Sequence, residues 1–237
     1  EKTGIKTPLV TCITDISMHP EWTAPQTDIY LAPTQEIKRH LMKKGARAED
    51  ILVTGIPVRQ QFLDADCCQK RERNRTRRVL IMGGGLGLMP DLKELLEKLH
   101  SMQGVESVVI TGKNHKMYEE WVNRYEDVEV LGYTENISRY MRGADLVITK
   151  AGGITLFEIL HSQVPLFVIH PFLEQEMNNA RYAAEKGFAK VIWGRREDYI
   201  PELEKLLSDE KMMEEMTGNV RRACKEMIEV SLDEAVG

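Results

Sequence analysis

The sequence predicts an α/β fold: a parallel sheet covered by helices on both faces. From Val79 onward, short β-branched runs alternate with segments of helical period. Those runs lack polar alternation, as strands buried on both faces do. The expected strands are 79–82, 107–111, 128–131, 146–149, 166–170 and 190–193, enough for a Rossmann-like unit. Between them, 91–102 carries Leu92, Leu95, Leu96 and Leu99 on one stripe, with Pro90 near its first turn. Further helices are expected at 115–125, 135–142, 154–162, 176–187 and 197–208. The closing stretch 211–230 repeats Met212, Met213, Met216, Val220, Cys224, Met227 and Ile228 near helical spacing, which reads as a long packing helix.

The first 60 residues read as a shorter α/β piece. It has strands at 9–13, 28–32 and 51–54 and a helix at 34–44 ended by Gly45. Three strands expose edges and bury little, so this piece is expected to belong to a larger domain or to lean on the second unit. The chain opens at Glu1 and enters an apolar segment almost at once, which reads as an N-terminal truncation, a trimmed start being the alternative.

At 237 residues and 42% hydrophobic side chains, the chain can bury one large core or two modest ones. A net charge of -5 argues against nucleic-acid binding driven by bulk charge. Cys12, Cys67, Cys68 and Cys224 form no CxxC pair and no zinc spacing, and read as reduced cytosolic thiols. No apolar run approaches the ~20 residues needed to cross a bilayer, so any membrane contact is expected to be peripheral. The most basic segment, 70–78, holds six cations against one acid. It reads as a solvated linker, or as a contact for anionic lipid headgroups.

Three strand-to-helix turns carry the chemistry. The first, Gly83, Gly84, Gly85, Leu86 and Gly87, follows a strand and precedes a helix, an arrangement that offers backbone N–H groups and a helix dipole to phosphate. It lacks both the dinucleotide fingerprint and the Walker lysine, and a glycine-rich tight turn is the plain alternative. In the second, Gly152 and Gly153 allow close approach of a ligand, Lys150 could neutralise a diphosphate, Thr155 could donate to it, and Glu158 could accept two ribose hydroxyls. Thr155 and Glu158 also fit a capping box, which needs no ligand. In the third, Gln175 and Asn179 share a helical face beside Glu176 and suit sugar hydroxyls, or serve to cap the helix start.

Together these segments, with 130–134, 144–158 and 175–180 in order and spacing, resemble one family of glycosyltransferases. It includes processive diacylglycerol glucosyltransferases, monogalactosyldiacylglycerol synthases and, more distantly, the peptidoglycan N-acetylglucosaminyltransferase. Stretches 14–22 and 54–58 look like the glycolipid branch. The resemblance implies a GT-B fold with 1–69 as the remnant of an acceptor-side domain, 70–78 as linker, 79–210 as a Rossmann-like UDP-sugar domain and 211–237 as packing helix and tail. It further implies that Gly83 to Gly87 and Lys150 to Thr155 hold the diphosphate, Glu158 the ribose, backbone near Tyr133 and Thr134 the uracil, and Gln175, Glu176 and Asn179 the sugar. Lys113 and Asn114 are weaker candidates.

The family's amino-terminal glycine-rich loop, with the catalytic base, has no counterpart here. Asp15 and His19 remain as acceptor-side candidates that could assist proton removal or hold a loop in shape. Asp64 and Asp66 spell a DxD but lie in the presumed linker, so no metal is expected, and no cofactor, the UDP-sugar being a substrate.

The expected function is inverting transfer of a hexose from UDP to a lipid such as diacylglycerol, with no nucleic-acid partner, by a cytoplasmic protein peripheral on the inner face of the membrane. The fragment alone is expected to turn over little. A peptidoglycan-precursor transferase and a non-catalytic nucleotide-sugar sensor are the alternatives.

Overall fold

The computed structural model describes residues 7–17, 26–63, 76–83, 91–194 and 198–227. The smaller sheet runs β1 (Val10–Cys12), β2 (Ile29–Ala32) and β3 (Ile51–Val53), all parallel, in the order β1-β2-β3. Helix α1 (Gln35–Lys43) packs on it through Ile37 and Leu41. Thr34 starts α1 as expected of an N-cap, its hydroxyl accepting from the Ile37 amide at 3.2 Å, and Gly45 follows its end at φ +99°, a conformation that favours glycine.

The larger unit holds β4 (Arg77–Met82), α2 (Leu92–Ser101), β5 (Val105–Ile110), α3 (His115–Trp121), β6 (Val128–Leu131), α4 (Ile137–Arg142) and β7 (Leu146–Thr149). It continues through α5 (Gly153–Ser162), β8 (Leu166–Ile169), α6 (Glu174–Glu185), β9 (Ala189–Ile192), α7 (Ile200–Ser208) and α8 (Glu210–Met227). Its six strands are all parallel and ordered β6-β5-β4-β7-β8-β9, the doubly wound order in which the first strand lies centrally. The apolar runs explain this: Val79–Met82 of β4, and β7 and β8, expose almost nothing on either face. One face is covered by α2, α3 and α7, with Leu95, Leu96, Leu99, Leu203 and Leu206 inward. The other is covered by α4, α5, α6 and α8, through Leu156, Phe157, Ala180, Ala183 and Val220.

All six expected strands form, with shifts at their ends. The clearest is β4, which begins at Arg77, inside the stretch expected to be linker. Its two leading arginines are engaged by acids of the larger unit: Arg77 with Glu210, and Arg78 with Glu129 at 2.9 Å and Glu106 at 3.7 Å. The Arg78 amide also donates to Asp145 at 2.7 Å. The rest of the basic segment, 70–75, lies outside the described residues, as do Asp64, Asp66, Cys67 and Cys68. Cys12 and Cys224 are free thiols.

The smaller sheet leans on the larger unit. After β3 the chain runs through Ile56 to a 3₁₀ turn at Gln60–Phe62, and Ile56 and Phe62, each 2% exposed, belong to the larger unit's core. The turn is fastened to α4 at two points: Arg142 donates to the Phe62 carbonyl at 2.6 Å, and the Ser138 amide donates to Gln61 Oε1 at 3.3 Å.

Candidate functional site

The strand order places β4 and β7 side by side, although two strands separate them in sequence. The chain leaves β4 toward β5 and β6, and leaves β7 toward β8 and β9, so the connections diverge and open a crevice at the carboxyl ends. Met82 and Thr149 are register partners, which sets Gly83 and Lys150 next to each other at the mouth of that crevice. Gly84, Gly85, Leu86 and Gly87 lie outside the described residues.

Helix α5 begins at Gly153, with Gly152 as an extended N-cap (φ -69°, ψ 147°) and no side chain capping the first turn. The capping box spelled by Thr155 and Glu158 therefore does not form, because Thr155 already lies inside the helix. Among the described residues no side chain caps the first-turn amides, which stand at the positive end of the helix dipole.

The two glycines there differ. A Cβ on Gly152 would meet only Thr155 Oγ1, at 3.8 Å, so space for a ligand remains. A Cβ on Gly153 would stand 3.0 Å from the Thr14 carbonyl oxygen and 3.4 Å from Ile56 Cδ1, so the close approach at Gly153 is to the chain's own backbone. Lys150 Nζ lies 5.6 Å from the centre of the Phe172 ring, a cation-π distance.

Helix α6 also starts uncapped, with Leu173 at its N-cap, so the capping alternative for Gln175, Glu176 and Asn179 does not apply. Gln175 is exposed, and its Nε2 approaches the Gly153 Cβ position to 3.8 Å, which joins the starts of α5 and α6. Glu176 is buried. Asn179 is wholly buried: its Nδ2 donates to the Ala151 carbonyl at 2.7 Å, fastening the β7–α5 loop to α6, and its Oδ1 has no hydrogen-bond partner among the described residues.

The remaining candidates line the same edge. Lys113 is exposed after β5; Asn114 caps α3, its Oδ1 accepting from the Met117 amide at 3.1 Å. Tyr133, after β6, is 67% exposed, and Thr134 Oγ1 accepts from the Asn136 amide at 3.1 Å. Asp15 is buried, and its Oδ1 accepts from both the amide and the hydroxyl of Ser17 at 3.0 Å, which holds the loop after β1. His19 lies outside the described residues.

One partner is not visible in any local pattern. Arg59, just before the 3₁₀ turn, reaches Glu158 on α5: Nε stands 2.9 Å and Nη2 2.8 Å from the same oxygen, Oε1. Burial pushes the Glu158 carboxyl up from its ordinary range, and the Arg59 charge and hydrogen bond pull it back only in part. The one sequence signal was adjacency, since Arg59 directly follows the 54–58 stretch.

Among the described residues no cluster of His, Cys, Asp or Glu is placed to hold a metal ion, and no helix is long and apolar enough to cross a membrane.

Residues 78–231 match the glycosyltransferase family 28 C-terminal domain. The chain belongs to glycosyltransferase family 28. Residues 1–58 match monogalactosyldiacylglycerol (MGDG) synthase. The chain is 34% identical over 227 residues to the processive diacylglycerol beta-glucosyltransferase of Bacillus licheniformis, covering 90% of this chain and 58% of that protein. For the Bacillus subtilis (strain 168) protein of the same name the figures are 32% over 229 residues, 93% and 60%. The chain thus spans less than two thirds of the length of these relatives.

In fold, the family 28 chain is similar to Acinetobacter baumannii MurG, with a TM-score of 0.64 at 17% identity, covering 91% of this chain and 63% of that one. It is equally similar to a putative UDP-N-acetylglucosamine 2-epimerase from Listeria monocytogenes, with a TM-score of 0.64 at 20% identity, covering 84% and 56%. The architecture is GT-B.

Proposed function

We propose that the crevice between β4 and β7 binds a UDP-hexose, and that the chain is the donor side of an enzyme that moves the hexose to diacylglycerol with inversion. The observation that carries this reading is the uncapped start of α5 at the topological switch point, with Lys150 before it and Glu158 one turn inside it. Orphan amides and a lysine there suit a diphosphate, and they stabilise it most when it departs with its full charge, which is the charge that develops in the transition state. Gly83, beside Lys150, extends the diphosphate cradle from the β4 side. Oε2 of Glu158 faces the ribose hydroxyls, and the loop at Tyr133 and Thr134 offers backbone to the uracil.

Gln175 and Glu176 meet the sugar, while Asn179 serves by holding the Ala151 carbonyl and with it the loop that carries Lys150. The relatives named for diacylglycerol glucosylation, and the match of residues 1–58 to the glycolipid synthase, support diacylglycerol as acceptor. An acceptor of that kind lies in a bilayer, which supports peripheral action at a membrane surface.

The transfer is tested with a fusion that carries the amino-terminal region of the Bacillus subtilis relative ahead of this chain, incubated with UDP-glucose and vesicles containing diacylglycerol. Formation of glucosyl-diacylglycerol, lost with Lys150→Ala, is the expected result. Donor binding by the fusion without any glycolipid product favours a nucleotide-sugar sensor, and product only with UDP-GlcNAc and a peptidoglycan precursor favours the other transferase.

A further inference from the structure

Lys98, Lys186 and Lys190 of the larger unit each reach an acid, and Lys186 does so at 2.7 Å from Glu226 while also lying 5.8 Å from the centre of the Tyr182 ring. Lys150 has no acid partner among the described residues; what its ammonium meets is the Phe172 ring, 5.6 Å from its centre. The chain brings that ring over by a sharp turn. β7 and β8 are neighbours, and His170, the first residue after β8, takes φ +48°, a conformation costly for a residue with a side chain. Pro171, buried and fixed in φ, follows it, and then Phe172. The Phe172 ring is 52% exposed, so packing into the core does not account for an aromatic side chain there.

We propose that Phe172 is a positioning residue for the diphosphate: its ring steadies the Lys150 ammonium at the crevice mouth before the donor arrives and stays against it once the donor is bound. This rests on the donor-site reading above. Lys150 stands just before α5, whose first turn presents the positive end of the helix dipole, so the empty site repels the ammonium toward water. The ring opposes that. A long flexible side chain gives up rotamer freedom when a ligand immobilises it, and one already held gives up less. An acid would hold the lysine too, but it would cancel the charge and have to be displaced by the diphosphate. A ring attracts the cation and leaves its charge intact. The ammonium has three donors and the ring covers one side of it, so donors remain for phosphate oxygens.

The test is calorimetric titration with UDP and with uridine on the wild-type chain, F172L, F172Y, K150M and the double variant F172L/K150M. F172L is expected to bind UDP about two- to fivefold more weakly than wild type, the size of an exposed cation-π contact, and F172Y, which keeps the ring, to follow wild type. Uridine, which has no phosphate for Lys150 to meet, is expected to bind wild type and F172L alike. In the K150M background F172L is expected to cost nothing further, since no cation is left to hold. Equal losses for UDP and uridine, or the same loss with and without Lys150, would mean that the ring only shapes the pocket or touches the ligand itself, and either result overturns the proposal. Tighter binding of UDP by F172L, as a ring that draws the lysine away from the diphosphate would give, overturns it as well, and so does an unchanged affinity. In each of those cases UDP still binds wild type, so the donor-site reading survives. Absence of UDP binding to wild type removes that reading, and this proposal with it.

Discussion

Replacing Glu158 by alanine is expected to weaken UDP binding about 100-fold or more, because two hydrogen bonds to a charged acceptor are lost at about 1.5–3 kcal/mol each. Calorimetry on the folded variant reads this directly. The isosteric Glu158→Gln separates binding from stability. The folded-state carboxyl is raised above its ordinary 4.5. The protonated form is therefore the one that folding favours, and its contribution is complete below that value and lost as pH rises through the raised one. Glutamine carries no such titration, and Arg59, whose side chain is 47% exposed, can turn to water. Glu158→Gln is thus expected to bind UDP poorly yet to melt at a higher temperature than wild type near neutral pH, the gap closing on acidification. A lower melting temperature at neutral pH would show that the ion pair outweighs the cost of burying the charge. Such a trade is what a ligand site held ready in the absence of ligand entails.

Phe62→Ala is expected to cost about 3–5 kcal/mol, the range for emptying a buried aromatic site. For a chain of this size that is a fall of about 2–4 °C in Tm per kcal/mol. The ring is 2% exposed, packs in the core of the larger unit and lies under the Arg59 guanidinium, while its carbonyl takes the Arg142 hydrogen bond. Its neighbour Leu63, 44% exposed, is the control, expected to change stability by no more than about 0.5 kcal/mol on truncation to alanine. Equal effects at the two positions in thermal unfolding would mean that the segment after β3 is not part of the larger unit's core.

Much of this was legible before any coordinates. The six strands of the larger unit are short apolar runs, and a run that is apolar on both faces has few options other than a strand with helices above and below. The rule that ligands sit at the carboxyl ends of such strands then gathered Gly83, Lys113, Tyr133, Lys150 and Gln175 on one edge, where the structure places them. What sequence could not supply were contacts set by the path of the chain in space. Arg59 on Glu158 and the Thr14 carbonyl on Gly153 join residues about a hundred or more positions apart, and no periodicity encodes them.

Local pattern also misled where two readings shared the same letters. Thr155 and Glu158 spell a capping box, but Gly152 takes the N-cap and Thr155 becomes a residue of the first turn. Arg77 and Arg78 looked like solvated linker because hydropathy does not see the acids across the fold that engage them. Asn179 shares the helical face of Gln175, and its burial and bond to the Ala151 carbonyl, which fasten the loop, could not be read from that face.

The central claim is that this chain carries a UDP-sugar donor site, and thermal unfolding in the presence of nucleotides tests it most directly. A ligand that binds only the folded state at about 100 times its dissociation constant adds about 2.7 kcal/mol. UDP and at least one UDP-hexose are expected to raise the melting temperature by the several degrees that this corresponds to, with ADP leaving it unchanged. No shift with any uridine nucleotide would contradict the account.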